Sequence, residues 1–344
     1  MAVVATGFFD GVHLGHRSVI DTLLSEARRR GEQSVIVTFW PHPRTVLQDD
    51  ARSLRLLNSL GEKKALLLGL GVDRVEVLDF SRNLSRLTAE QYLRDVLVSK
   101  LGATAVVLGY DNRFGSDGLS RPALVTLAEG LGLNVIECEA KSSQCGSSPL
   151  KTSDSVGPLP SDDGPLPLML PRVAQFSEGT AASAETRPIS STRIRKALEA
   201  GDVEGAGAML GYRYMLHGVV VAGNRLGRTI GFPTANMQLY EPLKLVPANG
   251  VYFVEVETLG GHFLGMTNIG VKPTVTGAGV RTIETHIFDF DELIYGLDIT
   301  VRFIARVRDE RKFASLDELR GQLEADRELC REMGRKNPRE ALNQ

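Results

Sequence analysis

Along residues 2–138, short apolar runs alternate with segments whose apolar residues recur every three or four positions. The runs are AVVAT (2–6), SVIVTF (34–39), RVEVLDF (74–80), AVVLG (105–109) and NVIEC (134–138). Between them lie RSVIDTLLSEARRR, EKKALLLGL, AEQYLRDVLVSK and ALVTLAEGL, each with the spacing of an amphipathic helix. Strand, helix and strand repeated in this order predict an α/β domain, a doubly wound parallel sheet with helices on its faces. Runs that are apolar at every position agree with strands buried on both sides.

The pattern changes twice further on. Residues from about 141 to 187 are rich in serine, proline and glycine with little periodicity, so they are expected to form a disordered surface insertion. STRIRKALEA (191–200) predicts a helix, with Ser190 or Ser191 placed to cap it and Gly201 to end it. After Gly211, HGVVVAG, GVYFVEVET, HFLGMTNIG, RTIETHIFDF and LDITVRFIARV are closely spaced strand candidates with glycine-bearing turns. SLDELRGQLEADRELCREM then reads as a helix, which predicts an antiparallel β-barrel with a terminal helix. The expected domains are therefore 1–210 and 211–344.

Composition narrows the functional classes. A net charge of -2 and a pI near 6.3 argue against a nucleic-acid or membrane-surface binder, which carries a basic excess. No apolar run is long enough to span a bilayer, and the chain enters a strand pattern at once, which predicts no signal peptide. Three cysteines, Cys138, Cys145 and Cys330, form no C-x-x-C and fit a reducing cytoplasm.

In open parallel sheets ligands bind beyond the carboxyl ends of the strands. DGVHLGH (10–16) occupies that edge after the first strand. Gly11 and Gly15 let backbone approach a ligand, and the following helix offers N–H groups and a positive dipole end to an anion. His13 and His16 can add hydrogen bonds or positive charge to phosphate oxygens. They could also bind a metal, but zinc would need further ligands at suitable spacing, so phosphate is the favoured reading. WPHPR (40–44) and GYDNRFG (109–115) should reach the same edge.

GFFDGVHLGH (7–16) resembles the H-x-G-H signature of the nucleotidyltransferase superfamily, and ISSTRIR (189–195) resembles its second phosphate-binding element. The resemblance implies that Gly7, Phe8, Asp10, Gly11, His13, Gly15 and His16 hold ATP phosphates. It implies that Ser190, Ser191, Thr192 and Arg193 stabilise the departing pyrophosphate, with His16 and Arg193 catalytic. GNRLGR (223–228), GFPTAN (231–236), GVYFV (250–254), TNIG (267–270) and RTIETHIFDF (281–290) resemble the riboflavin kinase barrel. The whole chain is similar to the bacterial bifunctional riboflavin kinase and FAD synthetase family.

The residues of the second half suit that resemblance. Gly223 and Gly227 are spaced for a flexible lid over phosphates, with Arg228 beside them. Thr234 and Asn236 alternate along one face of an extended segment and offer hard oxygens to Mg2+. On RTIETHIF, Thr282, Glu284 and His286 point one way while Ile283, Thr285 and Ile287 point into the core. The resemblance makes Glu284 the base that accepts the riboflavin hydroxyl proton, gives Thr234 and Asn236 the metal and ATP contacts, places Asp111 near the flavin or adenine in the first domain, and puts Phe114 and Asn268 near the flavin. Two departures stand out: Asn112 where phenylalanine is common, and the 141–187 insertion where the family has a short connector. The expected function is phosphorylation of riboflavin to FMN by ATP, then adenylylation of FMN to FAD, both with Mg2+. The competing outcomes are a chain with one active domain and a non-catalytic flavin or nucleotide sensor.

Overall fold

A computed structural model describes residues 1–47, 54–109, 114–138, 188–223, 226–272 and 280–336. The expected disorder of 141–187 lies outside these residues, as does Asp111. The described residues fall into two compact units, one from residues up to 54 with 60–138 and 188–189, the other from 55–59 and 190–336.

The first unit is the expected parallel sheet. Strands β1 (Ala2–Thr6), β2 (Gln33–Trp40), β3 (Arg74–Asp79), β4 (Ala103–Leu108) and β5 (Asn134–Glu137) lie in the order β3-β2-β1-β4-β5. All pairings are parallel, with Val4 opposite Val35 on one side and Val106 on the other. Every residue of β1 is buried, as a strand covered on both faces requires. Helix α1 (Leu14–Arg30) buries Ile20, Leu23 and Ala27, one stripe at three- and four-residue steps, and ends at Gly31 with φ 64. Helices α2 (Pro43–Leu47) and α3 (Leu60–Gly69) follow β2. Helix α4 starts at Ala89–Gln91 under a capping box of Thr88 and Gln91 and widens through Tyr92–Lys100, where Leu101 N donates to Val96 O five residues back. Helix α5 (Arg121–Gly130) closes the unit, its Leu124 and Ala128 packing into the core that Val4, Val37, Val106, Leu93 and Leu97 also build.

The second unit holds the barrel. Helices α6 (Ser191–Glu199) and α7 (Val203–Leu210) precede strands β6 (Met215–Val221), β7 (Ala235–Leu239), β8 (Gly250–Thr258), β9 (Gly261–Lys272), β10 (Val280–Ile287) and β11 (Asp298–Arg308). The strands close in the order β10-β7-β6-β11-β8-β9, antiparallel throughout. A short helix α8 (Leu226–Thr229) follows β6, and α9 (Leu316–Lys336) ends the fold. Strand β7 is one more than the apolar pattern announced, because its sequence ANMQL buries only Met237. Ser190 caps α6 by accepting from Arg193 N at 3.4 Å, and Gly201 follows it with φ 81, as expected.

Ser190–Leu210 cluster with the barrel: Ala248 N donates to Leu198 O at 2.9 Å, and Arg306 Nη1 to Ala200 O at 2.9 Å. Residues 55–59 also cluster there. Leu56 N donates to Leu243 O at 2.8 Å, Leu245 N to Leu56 O at 2.8 Å, and the buried Lys244 Nζ to Leu57 O at 2.7 Å. Paired backbone of this kind outweighs adjacency in sequence.

Candidate active sites

In the first unit the chemistry gathers where β1 ends. Gly7 N donates to Val37 O at 3.0 Å, so the loop still leans on β2 as it leaves the sheet. Phe9 (φ 47), Gly11 (φ 87) and Val12 (φ 38) then turn through the left-handed region within four residues. For Phe9 and Val12 this is strained backbone, held because both side chains are buried, 4% and 2% exposed. The turn brings Asp10 and His13 inside, each 5% exposed. His13 is the N-cap of α1 and makes no side-chain cap bond, and no acidic residue sits in the first turn of the helix.

The imidazoles of His13 and His16 stack at 3.7 Å with a 13° interplanar angle. A Cβ on Gly15 would lie 3.0 Å from the His13 ring and 3.1 Å from the Ile189 carbonyl oxygen, so only glycine fits without a shift. Burial, the neighbouring His13 and the Lys63 ammonium hold the His16 imidazole well below its usual pKa of 6.5. That shift disfavours positive charge on His16 relative to hydrogen bonding. Its Nδ1 is shut off from solvent and has no hydrogen-bond partner among the described residues.

Phe8 faces a different neighbourhood: Phe39 and His42 lie 5.1 Å away, and Phe80 6.3 Å. Phe114, expected near the flavin, is 8% exposed and stacked on Tyr92 at 5.7 Å, within the core of the sheet. Of the second phosphate element, Ile189 belongs to the first unit, while Ser190, Ser191, Thr192 and Arg193 open α6 in the second.

Pattern reading passed over Lys63. It lies on α3, is 4% exposed, and donates from Nζ to Thr38 Oγ1 at 3.4 Å. The signal was present in EKKALLLGL: Lys63 shares the buried face with Leu66 and Leu67, so a charge occupies a core slot of the helical period.

In the second unit the expected residues meet across three strands. Glu284 of β10 pairs with Asn236 of β7 on one side and with Asn268 of β9 on the other. Directly paired residues point to the same face of a sheet, so the three form one row. The β10 to β7 ladder is only two pairs long, Glu284 with Asn236 and Thr285 with Ala235, whereas β10 pairs with β9 over eight. The row therefore sits at the seam where β7 begins. Thr234 Oγ1 donates to Glu284 Oε2 at 3.5 Å, the outer limit of a hydrogen bond.

His286, two residues along the same face, is 8% exposed and donates from Nδ1 to Pro233 O at 2.8 Å, pinning the turn that carries Thr234. Gly223 lies so close to Asn236 that a Cβ would sit 2.2 Å from its Nδ2. Gly227 is held by Phe232 N, which donates to its carbonyl at 2.8 Å within the turn that follows α8. A cavity of about 220 Å³ opens here, lined by Gly223, Arg228, Thr234 and Asn236 and by residues 290–295. That last stretch, FDELIY, has no period of either kind, and the sequence did not mark it.

Among the described residues no group of three or more His, Cys, Asp or Glu side chains is placed to hold a metal. A cation at the seam would draw on one hydroxyl and one amide oxygen, Thr234 and Asn236, beside the Glu284 carboxylate. That donor set suits Mg2+, which keeps water and phosphate oxygens among its ligands, and not zinc.

Comparison with known proteins assigns both units. Residues 1–148 match the family profile for FAD synthetase and residues 210–334 the profile for riboflavin kinase. A parallel-sheet unit of the first kind and a barrel of the second define a flavin-cofactor transferase with two catalytic domains. Relatives named bifunctional riboflavin kinase/FMN adenylyltransferase are 33% identical in Bacillus subtilis, over 95% of this chain and 90% of that one, and 34% identical in Escherichia coli K12, over 96% and 92%. The chain belongs to the bifunctional riboflavin kinase/FMN adenylyltransferase family. A crystal structure from Streptococcus pneumoniae, described as a macrolide-efflux protein, has TM-score 0.76 and 31% identity over 96% of this chain and 93% of that one. No helix among the described residues here is long and apolar enough to cross a membrane.

Proposed function

We propose that the barrel unit transfers the γ-phosphoryl group of ATP to riboflavin, giving FMN and ADP, and that the parallel-sheet unit transfers AMP from a second ATP to FMN, giving FAD and pyrophosphate. The observation that carries the reading is the row Asn236, Glu284 and Asn268, with the Thr234 hydroxyl at 3.5 Å from Glu284 and a cavity beside it. In the barrel, Glu284 accepts the proton of the attacking riboflavin hydroxyl as its oxygen bonds to the γ-phosphorus and the bridging bond to ADP breaks. Thr234 and Asn236 hold Mg2+, which when bound neutralises polyphosphate charge. Gly223, Gly227 and Arg228 border the phosphates, and Asn268 orients the flavin.

In the first unit the loop of Gly7, Phe8, Asp10, Gly11, His13 and Gly15 with the N-terminus of α1 cradles ATP. The neutral His16 donates a hydrogen bond to the α-phosphate as the FMN phosphate oxygen attacks in line. Ser190, Ser191, Thr192 and Arg193 meet the departing pyrophosphate. Asp111 belongs to the flavin side of this reaction. We assign the reactions to the cytoplasm, where the free buried thiols Cys138 and Cys330 stay reduced.

The test is a time course with riboflavin, ATP and Mg2+, resolving the three flavins chromatographically. FMN preceding FAD supports both sites; FMN alone leaves one active domain, and bound flavin without product indicates a sensor. Glu284→Gln should abolish FMN formation and keep conversion of added FMN to FAD, while His16→Ala and Arg193→Ala should do the reverse. Loss of both activities in any one folded variant would sink the assignment of separate sites.

A further inference from the structure

A buried lysine in the first unit has no counterpart in the chemistry assigned so far. Lys63 sits on α3, 4% exposed, on a helix whose other buried residues are Glu62, Leu66 and Leu67. An ammonium in such a place is costly unless it is bonded and balanced. Both conditions are met by groups at the loop. Nζ donates to Thr38 Oγ1 at 3.4 Å, and Thr38 Oγ1 donates in turn to the Phe8 carbonyl at 3.2 Å. The buried Asp10 carboxylate supplies the opposite charge, acting against the effect of burial on the lysine.

We propose that Lys63 is a positioning residue for adenylyl transfer, its ammonium holding Asp10 and Thr38 under the phosphate loop and so fixing His16 against the substrate. The proposal rests on the reading that this unit adenylylates FMN. Removing the ammonium would take an opposite charge away from the buried Asp10 carboxylate and the Nζ donor away from Thr38, which donates to the Phe8 carbonyl. The loop turns through strained backbone at Phe9 and Val12, and such geometry persists only where the surroundings over-determine it.

The same charge acts on His16. The charged groups facing that imidazole are His13 from its own turn and Lys63 from α3, and both disfavour its protonation. Without Lys63, His16 takes up a proton at higher pH. The acid limb of adenylylation then moves to higher pH, and because weaker burial of His16 would act in the same direction, Lys63→Arg is the variant that separates loss of charge from loosened packing.

The experiment uses the full chain with Lys63→Met, Lys63→Arg and Thr38→Val, following FAD formation from FMN, ATP and Mg2+ between acid and neutral pH. Riboflavin phosphorylation is measured in the same preparations. Lys63→Met should lower kcat for FAD formation on the order of 10²-fold, with a smaller change in KM. Its acid limb should shift to higher pH, and riboflavin phosphorylation should stay at the wild-type rate. Lys63→Arg, which keeps the charge, should leave the acid limb in place. Wild-type kcat and an unmoved limb in Lys63→Met would overturn the proposal. Should Lys63→Met lose both activities through misfolding, Thr38→Val decides: a wild-type FAD rate there overturns it. A wild-type chain that makes FMN but no FAD refutes the underlying reading instead, and the proposal falls with it.

Discussion

Replacing Gly223 by alanine is the sharpest probe of the barrel site, because the perturbation is one methyl group at a known place. The new Cβ would lie 2.2 Å from Asn236 Nδ2, 2.5 Å from its Cγ and 2.8 Å from its Oδ1. Ordinary contact begins near 3.4 Å, so the amide nitrogen must retreat by about an ångström and the rest of the amide by less. Gly223 does not use the left-handed region, so its backbone accepts alanine and the effect isolates the contact. Asn236 is paired directly with Glu284, and a displacement of about an ångström in a positioned group costs on the order of 10²-fold, about 2.7 kcal/mol of transition-state stabilisation. Riboflavin phosphorylation should fall by that factor, while FMN adenylylation by the same preparation stays at the wild-type rate. Asn236→Ala should cost a similar amount, and the double variant little more, because both changes remove one interaction. Phosphorylation by Gly223→Ala within about threefold of wild type would refute the reasoning, since Asn236 would then have no positional role.

Gly15→Ala makes the corresponding test in the first unit. Alanine in a helix is favoured over glycine by about 1 kcal/mol, yet its Cβ would press at 3.0 Å on the buried His13 ring that stacks on His16. FAD formation should therefore drop at least about tenfold with the melting temperature unchanged or raised, and full activity would show that the stack is dispensable. Stability should also depend on pH below neutrality. His16 and His286 are both held below 6.5 chiefly by burial, so between their folded pKa values and 6.5 the unfolded chain binds more protons. The free energy of unfolding should rise with pH through that window and level off above it. Urea midpoints at acid and neutral pH check this, and a midpoint independent of pH would contradict it.

How much of this was legible beforehand depended on whether the signal was local. Strands β1 and β8 are buried at nearly every position and β11 is buried from Ile299 to Phe303, so they stood out in the sequence. The α6 cap was equally legible, because Ser190 and Gly201 act on backbone only a few residues away. Strand β7 was not, since a polar segment at a barrel seam has no hydrophobic period to display. Nor was helix α7, whose Gly205 and Gly207 mask a helix that Asp202 caps by accepting from Gly205 N at 2.8 Å.

The amino-acid sequence by itself determined the fold class of each half, the loop between β1 and α1, and the residue types available for phosphate and proton chemistry. Those are consequences of short-range periodicity, capping and backbone freedom. Only the tertiary structure decided that Asn236, Glu284 and Asn268 form one row, because that depends on the register of three strands separated by long stretches of chain. It also decided that residues 55–59 join the barrel unit and that burial, His13 and Lys63 hold the His16 imidazole below its usual pKa. Pairing partners, burial and the charge of Lys63 act through space, and none of them leaves a mark on the neighbouring residues of the chain.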